Sequence, residues 1–216
     1  MKVLELFAGT RSIGKAFEAR GHEVFSVDWN GDFEGIDLAI DIAQLTVDDV
    51  LQLFGKPDVI WASPDCTTYS VAAISTYRQF KNGKLLPVTD YAKQCDFTNV
   101  HVLELIQQLK PKYWFIENPR GAMRKMHFMR GLPRYTVTYC QYGKRYMKPT
   151  DIWTNHPQPR FKKHVAAVIL ATILRHVGQR LDCKQLQGML KRLLFLKNYA
   201  STLLTSAKTM LLICLC

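Results

Sequence analysis

Lys2-Val3-Leu4-Glu5-Leu6-Phe7-Ala8-Gly9-Thr10-Arg11-Ser12 is a short, nearly continuous apolar run that breaks on a turn of small residues. A run of that length without polar alternation suits a strand buried on both faces. Helical spacing follows at Ile13, Ala16 and Phe17 and closes at Gly21, after which Glu23-Val24-Phe25-Ser26-Val27-Asp28 reads as a second strand. Strand, turn, helix and strand in this order open a doubly wound α/β fold with a mostly parallel sheet.

In such a fold a ligand sits beyond the carboxyl ends of the strands. Ala8 and Gly9 let the backbone approach it closely, and Asp28, 19 residues after Gly9, is spaced to accept both hydroxyls of a ribose. Trp29 adds a face on which a base can stack. Arg11 stands where a dinucleotide fingerprint carries its second glycine, which favours a ligand without a pyrophosphate, such as S-adenosylmethionine.

Further along, residues 36–42 read as a weak third strand ending near Asp41, and Thr46 caps a helix reaching Phe54. Asp58 to Ala62 forms a fourth strand that delivers Ser63-Pro64-Asp65-Cys66. No period holds from Thr67 to Thr89, a stretch made basic and mobile by Arg78, Lys81 and Lys84. Asp90 to Leu109 is a long helix with Val100, Leu103, Ile106 and Leu109 on one face. Tyr113 to Glu117 is a fifth strand, ending at Asn118-Pro119-Arg120-Gly121, and Arg134–Gln141 and Asp151–Thr154 are two more, with Tyr142-Gly143-Lys144-Arg145 turning between them. Cys66 and Glu117 therefore lie just past the ends of parallel strands and face one crevice. A thiol beside an acid that can hold or give a proton suits attack on an electron-poor ring.

Composition sets the outer limits. With 48% hydrophobic and 22% charged residues the 216-residue chain reads as globular, and its formal charge of +11 favours a polyanionic partner. Six cysteines occur without metal-type Cys/His spacing, so reduced thiols, no metal and a cytoplasmic setting are expected. The start lacks a signal-peptide pattern, and no stretch approaches the ~20 apolar residues of a membrane span.

Phe7-Ala8-Gly9, Asp28, Ser63-Pro64-Asp65-Cys66 and Glu117-Asn118-Pro119 occur in the order, and near the distances, of the motifs of DNA (cytosine-5) methyltransferases. The sequence resembles the short phage and prophage branch of that family. The likeness continues through Tyr139-Cys140-Gln141-Tyr142-Gly143 and Lys148-Pro149-Thr150-Asp151-Ile152-Trp153-Thr154-Asn155, and covers residues 1 to about 163. The resemblance implies a Rossmann-like catalytic domain over 1–163 that uses S-adenosylmethionine on double-stranded DNA as a monomer in a bacterial host's cytoplasm. It makes Cys66 the nucleophile toward C6 of a flipped-out cytosine, with Glu117 at N3. By position, Phe7, Ala8, Gly9, Asp28, Trp29, Asp41, Ile42 and Pro64 would hold the cofactor, Asp41 at the adenine amino group. Ser63, Asn118, Pro119, Gln141 and Lys148 would bind the substrate.

Three departures stand out. The family's Pro-Pro-Cys-Gln is here Pro64-Asp65-Cys66-Thr67, and a carboxylate beside the thiol would raise its pKa unless Asp65 points away or pairs with a base such as Arg120. The family's arginine-bearing strand is replaced by Gln141 and Lys148. Residues 164–216 match no closing motif and form an atypical basic helical tail, with seven Lys or Arg against the single acid Asp182. That tail reads either as a frameshifted or replaced end or as an extension lying on DNA phosphates. Two rival functions remain: an amino methyltransferase acting on cytosine N4 or adenine N6, suggested by Ser63-Pro64-Asp65, and a DNA-binding remnant that has lost activity.

Overall fold

The computed structural model describes residues 1–144, 146 and 148–162. The expected helices of the tail, and the boundary after residue 163, lie outside the described residues. Nine strands and four helices follow in chain order: β1 Lys2–Leu6, α1 Gly14–Glu18, β2 Glu23–Asp28, β3 Leu38–Ala39, α2 Val47–Leu53, β4 Val59–Ala62, α3 Ile74–Tyr77, β5 Arg78–Lys81, β6 Lys84–Pro87, α4 Asp90–Leu109, β7 Tyr113–Pro119, β8 Arg134–Thr138 and β9 Pro149–Thr154. Seven strands form one sheet in the order β3-β2-β1-β4-β7-β9-β8. The first five in that order are parallel, and β9 runs antiparallel to both β7 and β8.

The chain leaves β1 toward β2 and β3 on one side and reaches β4 and β7 on the other. The strand order thus reverses between β1 and β4, the point where an open α/β sheet holds its ligand. Val59-Ile60-Trp61-Ala62 is buried along its whole length, as a central parallel strand requires. β3 is only two residues long, shorter than the expected run over 36–42, because Asp41 turns out of the strand to accept the N–H of Ala43 and start a 3-10 turn. At α2, Thr46 and Asp49 form a reciprocal capping box, with Asp48 and Asp49 at the positive end of the helix dipole.

A buried acid ties the first turn together. Glu5 accepts the N–H of Gly14 (3.0 Å) and the hydroxyl of Ser26 (2.8 Å), so one carboxylate joins β1, α1 and β2. Burial raises its pKa, opposed by those hydrogen bonds and by Arg11. A Cβ at Gly14 would collide with this carboxylate, which explains a glycine at the start of a helix.

The segment after Cys66 is more ordered than its sequence pattern suggested. It holds a 3-10 turn at Thr67–Tyr69, α3, and a two-stranded hairpin of β5 and β6. Asn82 (φ 51°) and Gly83 (φ 73°) turn the hairpin, the Asn-Gly pair that accepts left-handed backbone at both central positions. Arg78 is not a mobile surface charge. It is 3% exposed, makes hydrogen bonds to both oxygens of Asp96 on α4 (2.8 and 2.9 Å), donates to the Thr68 carbonyl (2.8 Å) and stacks 4.2 Å from the Tyr69 ring. Tyr69 also donates to Asp96 (2.7 Å) and accepts from Asn99 (3.0 Å). That last bond draws a polar residue inward, so the face α4 buries runs through Asn99, Val102, Leu105, Ile106 and Leu109, with Val100 and Leu103 only half-buried.

Removing one partner of such a pair strands a charge in the interior. Arg78→Met is expected to lower unfolding stability by about 3–5 kcal/mol, read as a reduced midpoint in urea; a change under about 1 kcal/mol would show that the pair is solvated.

Candidate active site

β1 ends at Leu6, and Phe7 takes φ 57°, a left-handed conformation that costs a bulky residue about 1–3 kcal/mol. Gly9 follows at φ 50°, with open space where a side chain would stand. The Gly9 N–H donates to one oxygen of Asp28 (2.9 Å), and the N–H of Asn30 donates to the other (3.0 Å). Both oxygens keep lone pairs for a ligand's hydroxyls. Trp29 is 74% exposed and, with Phe7, Asp41, Pro64, Asp65 and Tyr91, lines a recess of about 470 Å³. A carboxylate at the strand end, an exposed indole and a glycine-opened turn fit a nucleoside-bearing group. Ile42 departs from expectation: its side chain is 2% exposed in the core, so only its main chain can face a ligand.

The ends of β4 and β7 build the reactive half. Ser63 extends the ladder by donating its N–H to Leu6 (3.2 Å), and its hydroxyl accepts from the Trp61 indole (2.9 Å). Asn118, fully buried, donates its side-chain amide to the Pro64 carbonyl (2.9 Å). That bond clasps the cysteine loop to the glutamate strand. Cys66 and Glu117 consequently line one cleft of about 380 Å³, together with Phe7, Asp28, Ser63 and Lys148; Pro64 and Pro119 complete its rim. Ala8 lies on an adjoining recess that also reaches Glu117. Gln141 is not brought there. The strand expected over Arg134–Gln141 stops at Thr138 and coils into a 3-10 turn, and the Gln141 carbonyl accepts from Lys162 instead (3.0 Å).

Two residues missed by sequence reasoning act on this cleft. Tyr139 donates its hydroxyl to Glu117 (3.3 Å), and the Lys148 ammonium lies 5.1 Å from the Tyr139 ring. Tyr91, on the first turn of α4, donates to Asp65. Nothing in the spacing announces either contact, since the partners are 22 and 26 residues apart.

The electrostatics assign protons. Burial pushes the Glu117 carboxyl above the ordinary range, and Lys148 and the Tyr139 hydroxyl only partly oppose it. Burial thus biases Glu117 toward its protonated form. Burial also raises the Cys66 thiol, reinforced by the Asp65 carboxylate and by Glu117, while Lys148 pulls it down. Asp65 does not pair with Arg120. Thr67 donates both N–H and hydroxyl to one of its oxygens (2.7 Å each), and Tyr91 takes the other. Partial burial disfavours the charge on Asp65, but these hydrogen bonds outweigh it and keep the carboxylate below its usual pKa. Among the described residues no group of three potential metal ligands occurs, and no helix is long and apolar enough to cross a membrane.

The chain is 31% identical over 161 residues to a protein of Frog virus 3 (isolate Goorha) named Probable DNA (cytosine-5)-methyltransferase, a match covering 72% of this chain and 71% of that protein. It superposes with a TM-score of 0.51 and 16% identity on an E. coli prophage-encoded protein described as a DNA modification methyltransferase, covering 71% of this chain and 46% of that one. For the S. pombe Dnmt2 methyltransferase the TM-score is 0.50 and the identity 14%, covering 84% of this chain and 67% of the other. At such identities the two structures speak to the fold, and the chain spans about half the length of the prophage protein. No protein-family model matches.

Replacing Asp65 by Asn removes a negative charge beside the thiol and therefore lowers the Cys66 pKa. The pH curve of its alkylation by iodoacetamide is expected to move to lower pH in D65N, with a several-fold faster reaction at pH 8; an unmoved curve would mean that Asp65 is electrically remote.

Proposed function

The chain belongs to the DNA (cytosine-5)-methyltransferase family, and from that premise we propose that it methylates C5 of cytosine in double-stranded DNA through a covalent bond to Cys66. The observation that carries this reading is the shared cleft of Cys66 and Glu117, whose burial favours its protonated form. The target C6 is out of reach inside the base stack, so the cytosine must be extruded into the cleft.

The first step is addition. The Cys66 thiol gives its proton to solvent and its sulfur forms a bond to C6; the C5–C6 π pair shifts to C4–C5 and the C4–N3 π pair moves onto N3. Glu117 delivers its proton to N3, which removes the negative charge that addition would otherwise build there. The carboxylate left on Glu117 is then stabilised by the Tyr139 hydroxyl and the Lys148 ammonium, the two groups that already favour its charged form. C5 is thereby made nucleophilic. S-adenosylmethionine, when bound, supplies an electrophilic methyl group. Asp28 would hold its ribose, Trp29 its adenine face and Asp41 the adenine edge, with Gly9 permitting close approach. Removal of the C5 proton by water acting as base restores the C5–C6 double bond and expels the Cys66 thiolate, while the N3 proton returns to the Glu117 carboxylate.

Lys148 faces both reacting groups and so supplies positive charge where the family's arginine is missing. It lowers the thiol and the acid alike, opposing the effect of Asp65 on Cys66.

A duplex carrying 5-fluorocytosine cannot lose the group at C5, so it should leave Cys66 covalently bound in the presence of S-adenosylmethionine. The expected result is a denaturation-resistant adduct in the wild type and none in Cys66→Ser. Glu117→Gln should slow methyl transfer to an unmodified duplex by roughly 10²–10⁴-fold. Methyl transfer without any adduct would instead point to the amino-methyl chemistry, which needs no thiol.

A further inference from the structure

A second groove, of about 850 Å³, lies between the β5–β6 hairpin and the residues that follow β7. Its two walls continue the two halves of the site: the hairpin follows Cys66, and the other wall follows Glu117. They are locked at their base, where Arg78 approaches the Met126 sulfur (3.9 Å) and Gly121 packs so tightly on the Tyr69 carbonyl that a Cβ would collide with it. The groove therefore holds a fixed position beside the cleft.

Its lining combines cations with apolar surface. Arg124, Lys125, Arg130 and Arg134 contribute positive charge, and no acidic side chain lines it. Arg124 is neutralised by the buried Asp151, to which it donates from Nε (2.8 Å). Lys125, Arg130 and Arg134 are exposed and make no ion pair with a described residue. Leu85, Met126 and Met129 supply apolar lining, and Phe80 stands 73% exposed on the hairpin. Lys81 and Lys84, both exposed, flank the hairpin's turn.

We propose that this groove is a DNA-docking surface that grips the duplex beside the extruded cytosine. Three cations that pair with no described residue neutralise phosphates and release counterions, while the apolar lining and Phe80 meet sugar and base surface. The charge lining the groove is of one sign, which suits a polyanion and disfavours a second copy of this +11 chain. The proposal rests on DNA being the substrate, as proposed above, and adds where the duplex is held.

The test compares the wild-type chain with K125A/R130A/R134A for binding of a fluorescent duplex by anisotropy, between about 50 and 200 mM salt. Each lost phosphate contact removes about 0.9 from the slope of log affinity against log salt, so the triple variant should lose about 2 to 3 in slope and roughly 10- to 100-fold in affinity. Phe80→Ala should weaken binding with the slope kept. Calorimetric binding of S-adenosylmethionine should be unchanged in both variants, which shows that they are folded. An unchanged salt slope with the fluorocytosine adduct intact overturns the groove and leaves the reaction standing. Groove-dependent binding without an adduct overturns the reaction and leaves the groove standing. A wild type that binds no duplex, or variants whose main change is lost self-association, overturns the docking proposal.

Discussion

The bond from the Asn118 side-chain amide to the Pro64 carbonyl is the constraint on which the site depends. β4 and β7 are hydrogen-bonded neighbours, but their pairing ends at Ala62 and Ile116, and beyond it the two chains are free to diverge. A single buried amide reaches across and holds the turn bearing Cys66 against the strand bearing Glu117. Because Asn118 is buried, a competing water cannot easily replace the bond, and losing it would leave a carbonyl unsatisfied.

Around that clasp the charges are arranged in opposition. Asp65 and Glu117 make the thiol reluctant to ionise, and Lys148 makes it more willing. The result is a thiol held toward its neutral form, beside an acid whose burial likewise favours its protonated form. Both groups would change charge together when a ring enters between them, one losing its proton and the other passing its proton on. The acid that precedes the cysteine is set apart from this exchange by its own hydrogen bonds to Thr67 and Tyr91. Its effect on the thiol is that of a fixed field rather than of a proton carrier.

Much of the framework was legible in the sequence because it rests on local rules. The turn at Gly9, the distance to Asp28, the capping box at Thr46 and the span of α4 all follow from residue type at short spacing. The bounds of β2 and α4 agree with expectation residue for residue. What escaped was set by contacts between distant residues. Arg78 looked like a surface charge because its partner, Asp96, is 18 positions away on another element. The buried face of α4 was misplaced for the same reason, since Asn99 is drawn inward by Tyr69. Gln141 seemed to extend a strand that in fact coils at Tyr139. The hairpin is a different case: Asn82-Gly83 carries its own local signal, which the basic residues around it obscured.

The buried Arg78 also determines what kind of device the cysteine loop can be. A loop that swings open and shut must break few interactions when it moves, yet this one is tied through Thr68 to Arg78 and could not lift away without losing those bonds or parting the guanidinium from Asp96 on α4. It behaves as a jig rather than a lid. The entropy of positioning the thiol is spent once, when the chain folds, and is not charged again at each turnover. Any adjustment to a bound partner would fall to the far end of the hairpin, around Asn82 and Gly83, where side chains are exposed and few contacts would be broken.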